Sequence, residues 1–156
     1  MNESDGIDYN KQINDATWLR RISEIIPPQN ILLLGVRSCD EFEFNDLKKS
    51  GINFFTNRSV NDHQDEVTEF VRQFTNESKV YVSVDIDVFD PSIAPAVDMP
   101  EPDGIFFNDF QKLVSAIKGR LVGLDMCCLN PIPNNEVTEF LAVRSLFEIL
   151  GLINSE

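Results

Sequence analysis

Short, branched apolar runs alternate with amphipathic segments along most of the chain, and this alternation limits the folds open to it. The apolar runs have the length of buried strands, while the other segments place apolar residues at helical spacing. Strands that alternate with helices specify right-handed crossovers and a parallel sheet covered by helices. We therefore expect an α/β fold with three layers in α/β/α order, forming one domain over residues 1–156.

The boundaries of these elements follow from local signals. Pro27-Pro28 is expected to end a first helix, and Ser38 followed by Glu41 is a capping-box pattern that predicts a helix directly after the first strand. The predicted strands are residues 31–36, 51–56, 79–88 and 120–129. The predicted helices cover residues 14–26, from Ser38 to about Lys49, from about Asn61 to Phe74, the region of 110–117, and from Val137 to Gly151. In the third of these, Val67, Phe70, Val71 and Phe74 mark the apolar face.

Charge and cysteine content narrow the classes of partner. The formal net charge is −13, which repels phosphate backbones and anionic lipid heads, so neither nucleic acid nor a membrane is expected as a partner. A small cationic substrate suits this charge better, although solubility alone also explains it. Of three cysteines, Cys127 and Cys128 are adjacent in what reads as a buried strand. They provide no disulfide framework, so we expect a cytoplasmic location.

The strand from Val80 to Val88 carries the clearest chemical signal. With a period of two, Ser83, Asp85 and Asp87 face one side and the valines and isoleucine face the other. Two carboxylates near the carboxyl end of a strand imply either solvent exposure or a bound cation, because unpaired buried charges are costly. Oxygen ligands favour Mg²⁺ or Mn²⁺. The alternative is that these aspartates only begin a turn at Asp90-Pro91.

The same segment resembles the signature of the ureohydrolase family, which includes arginase, agmatinase and formimidoylglutamase. The matching residues are Ser83-Val-Asp-Ile-Asp-Val-Phe-Asp-Pro-Ser-Ile-Ala-Pro95 and Pro100-Glu-Pro-Asp-Gly104. The resemblance also covers residues 35–38, 123–125 and 130–142, and it looks most like archaeal agmatinase-type members. It implies an arginase-like fold, with this chain corresponding to the C-terminal half and lacking the N-terminal strands.

The resemblance also implies a cofactor and a reaction. In that family the residues matching Asp85 and Asp87 bind a pair of manganese ions, and hydroxide at the pair attacks a guanidinium or amidine carbon. A metal pair lowers the pKa of water enough for this attack near neutral pH. The expected activity is therefore hydrolysis of a guanidino or amidine C–N bond, with a small cationic guanidino compound as substrate.

Several positions depart from the family pattern. Its other metal ligands lie in N-terminal segments that contain histidines, whereas the one histidine here, His63, is expected at the surface. Asp5 aligns with the end of one such segment, or else belongs to a mobile terminus. Asp15 replaces a substrate-side histidine and reads equally well as a helix N-cap. Cys128 replaces a glutamate that pairs with the substrate's cationic group, or else is a small buried strand residue.

Three functions remain open on this reasoning. The chain is part of a manganese hydrolase completed by a separate or lost N-terminal half, and is inactive alone. Alternatively, it is a truncated, non-catalytic homologue acting as a partner or regulatory subunit, or a decayed gene product. In the third, Asp85 and Asp87 are the nucleophile and acid of a haloacid-dehalogenase-like phosphatase.

An uncovered sheet edge also predicts a homo-oligomer or pairing with an N-terminal half, through an interface on the order of 1,000 Å² or more.

Overall fold

The structure, a computed structural model, describes residues 17–154 and confirms an α/β fold. Short 3-10 turns cover Pro28–Asn30, Ile86–Val88 and Leu152–Asn154. The strands are β1 (Leu32–Val36), β2 (Asn53–Thr56), β3 (Lys79–Asp85) and β4 (Arg120–Cys127). The helices are α1 (Trp18–Ser23), α2 (Glu41–Lys49), α3 (Asn57–Asp62), α4 (Gln64–Thr75), α5 (Phe107–Ser115) and α6 (Val137–Gly151).

Strand pairing forms two ladders rather than the one sheet expected from the sequence. β1 pairs with β2, and β3 pairs with β4 in a separate two-stranded sheet. β3 and β4 run parallel from Lys79 opposite Arg120 to Asp85 opposite Cys127, with a register shift after Val80. Periodicity locates each strand and its faces, but hydrogen bonds between segments remote in sequence decide which strands join.

Contacts divide the chain into two compact units. Among the described residues, the first unit contains 17–33 and 39–54, and the second contains 34–38 and 55–154. In the first unit Phe44 packs edge-on against Phe54 with ring centroids 5.7 Å apart, and the Lys48 ammonium lies 4.2 Å above the Phe44 ring. A single domain over residues 1–156 stays a prediction.

The second unit has a core built from α4, α5 and the segment after β3. Val67 and Val71 are buried on the face of α4 that the apolar spacing predicted. Phe110 of α5 packs against Phe89 with ring centroids 5.3 Å apart, and Ile86 is fully buried. Burial of these side chains fixes the segment that follows β3, which carries the predicted metal ligand Asp87.

No helix within residues 17–154 has both the length and the apolar character needed to cross a membrane.

Two helix starts differ from the sequence prediction. The capping box of α2 is formed by Asp40 and Glu43, not by Ser38 and Glu41: Asp40 Oδ1 accepts from the Glu43 amide at 2.7 Å, and Glu43 Oε2 accepts from the Asp40 amide at 3.3 Å. Both pairs have the same spacing, and a carboxylate is a strong N-cap beside the helix dipole. The helix predicted from about Asn61 is two helices, α3 and α4, separated at His63.

Candidate metal centre

The exposed face of β3 carries the predicted polar side chains. Ser83 and Asp85 are exposed while Val84 is buried, so the period-two prediction holds along the strand. β3 ends at Asp85, however, and Asp87 lies in the 3-10 turn Ile86–Val88. The placement of Asp87 by strand alternation is therefore wrong. The turn nevertheless keeps the two residues together, because Asp85 Oδ1 accepts from the Asp87 amide at 2.9 Å.

Asp87 is half-buried, and its two carboxylate oxygens have different surroundings. Its Oδ2 accepts from the Met99 amide at 3.2 Å, whereas its Oδ1 is buried and has no hydrogen-bond partner. Burial, followed by the negative charge of Asp85, raises the pKa of Asp87 above its ordinary value. The Arg37 guanidinium donates to the Asp87 carbonyl and, at 3.1 Å, to the Glu101 carbonyl. Arg37, which was not singled out from the sequence, ties the end of β1 to this turn.

The donor set of this turn fits an oxygen-preferring divalent cation. A buried carboxylate oxygen without a partner is an exception that requires a physical reason, and a cation is one. Asp85 and Asp87 together provide carboxylates, which Mn²⁺ and Mg²⁺ prefer. Two carboxylates are too few for a metal pair, and His63 is exposed at the junction of α3 and α4. Asp5 and Asp15 lie outside the described residues, so their predicted roles stay predictions.

Besides Asp85 and Asp87, a carboxylate of β4 lies on the face of the β3–β4 ladder that carries Asp85. Asp125, opposite Ser83 in the register, accepts from the Ser83 hydroxyl at 2.9 Å. A hydrogen bond to Asp125 raises the pKa of Tyr81, which is the next exposed residue along β3. Gly123 stands opposite Tyr81, where an added Cβ would lie 2.7 Å from the ring. Sequence reasoning missed Tyr81 and Asp125 as site neighbours, because the β3–β4 register is required to find them.

The loop after the turn is organised by Asp90. Its Oδ1 accepts from the Ser92 hydroxyl at 2.6 Å and from the Ser92 amide at 3.0 Å, and its Oδ2 accepts from the Gly104 amide at 3.2 Å. These bonds, first of all that from the Ser92 hydroxyl, lower the pKa of Asp90. Farther along, Ala96 is fully buried and its amide donates to Thr138 Oγ1 at 2.9 Å. Asp90 thus uses its carboxylate to hold the loop, whereas the carboxylates of Asp85 and Asp87 do not take part in these bonds and can bind a cation.

The sequence predicted that the two adjacent cysteines lie in a buried strand, and this prediction is wrong. Cys127 ends β4 and is exposed, and Cys128 is half-buried beyond the strand with a left-handed φ of 64°. Burial, followed by the charge of Asp85, raises the pKa of the Cys127 thiol. Burial and then a hydrogen bond with Asp85 raise the pKa of the Cys128 thiol. The left-handed residue breaks strand alternation, which periodicity alone does not reveal.

Comparison with known proteins points to one family. The profile of the arginase family matches residues 4–151. An arginase of Brucella melitensis is 31% identical over 130 residues, which is 79% of this chain and 42% of that protein. The N(1)-aminopropylagmatine ureohydrolase of Synechocystis is 28% identical over 142 residues, which is 88% of this chain and 45% of that protein.

The solved structures agree with the sequence relatives. The agmatine ureohydrolase of Thermoplasma volcanium matches with a TM-score of 0.77 and 30% identity, over 87% of this chain and 46% of that chain. The arginase-like fold expected from the sequence is confirmed. This chain spans less than half the length of the curated relatives that it matches. Since the family profile covers nearly the whole sequence, the chain belongs to the arginase family.

Proposed function

We propose that this chain provides the Asp85–Asp87 side of a manganese centre in a hydrolase that cleaves a guanidino or amidine C–N bond. The observation that carries the proposal is the buried Asp87 Oδ1, which has no hydrogen-bond partner and lies in the turn next to Asp85. Family membership supports the reaction class. Bound manganese would lower the pKa of water enough to supply hydroxide for attack on a guanidinium carbon near neutral pH.

The residues around Asp87 orient its carboxylate. The Met99 amide holds Oδ2, which leaves Oδ1 as the oxygen available to a cation. Arg37 holds the backbone carbonyl of the same residue, so the turn is fixed on both its main-chain and side-chain sides. A fixed carboxylate binds a metal with less loss of conformational entropy than a mobile one.

The substrate class proposed is a small guanidino cation. A net charge of −13 favours the approach of a cation over that of an anion. The thiol of Cys128 stands where the ureohydrolase pattern has a glutamate, and a thiol with a raised pKa cannot replace that charge. We therefore expect recognition of the substrate's distal group to differ from the family pattern.

The remaining metal ligands are proposed to come from polypeptide outside residues 17–154, such as an N-terminal half or a second copy. A surface suited to such a partner lies on α6. Phe140 is 70% exposed and Phe147 is 61% exposed, and with Val137 and Val143 they follow helical spacing along one side. A row of large exposed apolar side chains is typical of a protein contact surface.

The test is a calorimetric titration of the folded chain with Mn²⁺. Asp87→Asn is expected to weaken binding at least about tenfold, since losing a ligand should cost no less than losing a residue that only orients one. Asp65→Asn removes one charge from the exposed first turn of α4 and is the matched control, expected to bind as wild type does. Equal affinity in wild type and Asp87→Asn would overturn the site. A folded chain that binds no Mn²⁺ would favour the non-catalytic homologue.

Activity of the chain alone is a separate prediction. Two carboxylates do not complete a metal pair, so we expect no useful release of urea from arginine or agmatine by the purified chain with Mn²⁺. Addition of an N-terminal half from a family member should restore release if the hydrolase proposal is right. Manganese-dependent urea release by the chain alone would contradict the prediction.

A further inference from the structure

Two sulfur atoms and one carboxylate oxygen lie together at the end of the β3–β4 ladder, and all three are able to bind a metal ion. This set differs from the Asp85–Asp87 pair, which provides carboxylate oxygens only. One carboxylate oxygen of Asp85 and the Sγ atoms of Cys127 and Cys128 are all within 4.8 Å of one another. In a tetrahedral zinc site with Zn–S bonds of about 2.3 Å, ligand atoms are separated by roughly 3.8 Å. Small side-chain rotations therefore suffice to bring these three atoms onto one ion.

The backbone explains how adjacent cysteines reach the same carboxylate. Cys127 stands opposite Asp85 in the parallel register, so both side chains project from the same face. Successive strand residues alternate between faces, and Cys128 would project from the other one. Its left-handed φ of 64° breaks that alternation and brings the second sulfur to the first. A residue other than glycine is strained in this region, and such strain concentrates at functional sites.

Neighbouring segments hold this conformation in place. The Cys128 carbonyl accepts from the Asp98 amide at 3.3 Å, and the next residue, Leu129, forms an antiparallel bridge with Val97. The Cys127 thiol donates to the Val84 carbonyl at 3.8 Å. The two sulfurs are thus positioned by the loop after the Asp90-Pro91 turn as well as by the ladder, rather than by chance rotation of surface side chains.

A disulfide between the two cysteines does not fit this geometry. Adjacent Cα atoms are about 3.8 Å apart across a trans peptide, whereas disulfides usually join Cα atoms about 4.4 to 6.8 Å apart. Both cysteines are free thiols. Thiolates select zinc-class ions, whereas Mn²⁺ prefers oxygen.

We propose that Asp85, Cys127 and Cys128 bind one thiophilic divalent cation of the zinc class, with a fourth position open to solvent. Three protein ligands with an open position form the arrangement typical of reactive rather than purely structural zinc. The site shares Asp85 with the proposed manganese centre, so the two ions compete. It does not rest on hydrolase activity, because its ligands are defined by the ladder register and by the turn at Cys128.

The test uses the full 156-residue chain, reduced and free of metal, titrated with Cd²⁺ as a spectroscopic probe and with Zn²⁺ against a chromophoric chelator. Wild type is expected to show ultraviolet thiolate-to-cadmium charge transfer that saturates at one ion per chain. Cys127→Ser and Cys128→Ser, made separately, are each expected to weaken Zn²⁺ binding at least about tenfold. Cys39→Ser, at the other exposed cysteine, is the matched control and should bind as wild type does.

The same titrations separate this site from the manganese centre. Asp87→Asn is expected to weaken Mn²⁺ binding and leave Zn²⁺ binding unchanged, while Cys128→Ser does the reverse. Absence of thiolate-to-cadmium charge transfer in folded wild type would overturn the proposal, and that measurement needs no variant. Unchanged Zn²⁺ affinity in both cysteine variants, or an equal loss in Cys39→Ser, would overturn it as well. Failure of Mn²⁺ binding alone would leave the zinc-class site standing and remove only the hydrolase proposal.

Discussion

Gly104 offers the sharpest test of how the loop beside the metal turn is packed. An added Cβ at Gly104 would lie under 3.0 Å from three backbone atoms of Phe89 and Asp90, a separation that Cβ atoms essentially never show. Backbone atoms cannot rotate away as the end of a side chain can. Gly104→Ala must therefore move the main chain of this loop.

The expected loss of stability can be worked from the bonds that such a movement breaks. The Gly104 amide donates to Asp90 at 3.2 Å, the Ile105 amide to Val88 at 3.0 Å, and the Asp90 amide to Ile105 at 3.1 Å. A net hydrogen bond is worth about 1 kcal/mol, and overpacking costs about 1 to 3 kcal/mol. We expect Gly104→Ala to lower the free energy of unfolding by about 3 kcal/mol or more, a large part of the total of about 5 to 15 kcal/mol.

Urea unfolding followed by circular dichroism measures this loss. With a denaturant slope of roughly 1 to 3 kcal/mol/M, the midpoint should fall by about 1 to 3 M. The matched control is Gly151→Ala in the last turn of α6, where no atom other than those of the adjacent residues and of the helix's own backbone lies within 4 Å of an added Cβ. That change is expected to be neutral or to stabilise by up to about 1 kcal/mol. A Gly104→Ala midpoint equal to that of wild type would refute the packing argument.

Three further predictions follow from the cap, the loop carboxylate and the apolar surface. Asp40→Ala should cost about 1 kcal/mol of unfolding free energy by urea unfolding because it removes the cap of α2, whereas Ser38→Ala should cost almost nothing. Hydrogen bonds, first from the Ser92 hydroxyl, lower the folded-state pKa of Asp90, so its stabilisation is present above the ordinary pKa of 3.8 and is lost as pH falls through the folded value. Asp90→Asn should thus be less stable than wild type at pH 7, and the difference should shrink in acid; a constant difference would contradict this. If the exposed apolar side of α6 binds a second copy of the chain, Phe140→Asp should reduce the self-association measured by light scattering. An unchanged molecular mass would show that a second copy does not bind this side of α6.

Much of the local structure could be predicted because it depends on neighbours in the sequence. Alternation along β3 placed Val84 inside and Asp85 outside, and the apolar spacing on α4 selected Val67 and Val71 as buried residues. The prediction for α2 had the correct spacing but the wrong pair of capping residues. Two equally spaced pairs compete there, and propensity alone does not choose between them.

Adjacency in the candidate site could not be predicted in the same way. Asp85 meets Cys127 only through the β3–β4 register, although the two residues are 42 positions apart in the sequence and α5 lies between them. The unpartnered Asp87 oxygen depends on where Met99 and the turn at Ile86–Val88 lie. Strand length was also overestimated at Asp87, because a turn after a strand keeps the same apolar and polar alternation.

The sequence by itself determined the α/β class, the approximate positions of the strands and of most helices, and the segment with two aspartates that resembles the ureohydrolases. These properties follow from side-chain periodicity and local backbone preference, which act over a few residues. Only the tertiary structure decided that the strands pair as two ladders, that Arg37 holds the Asp87 turn, and that Cys128 turns its sulfur toward Asp85. These contacts join residues far apart in the chain, and the free energy that selects them comes from hydrogen bonds and burial formed only when the segments meet.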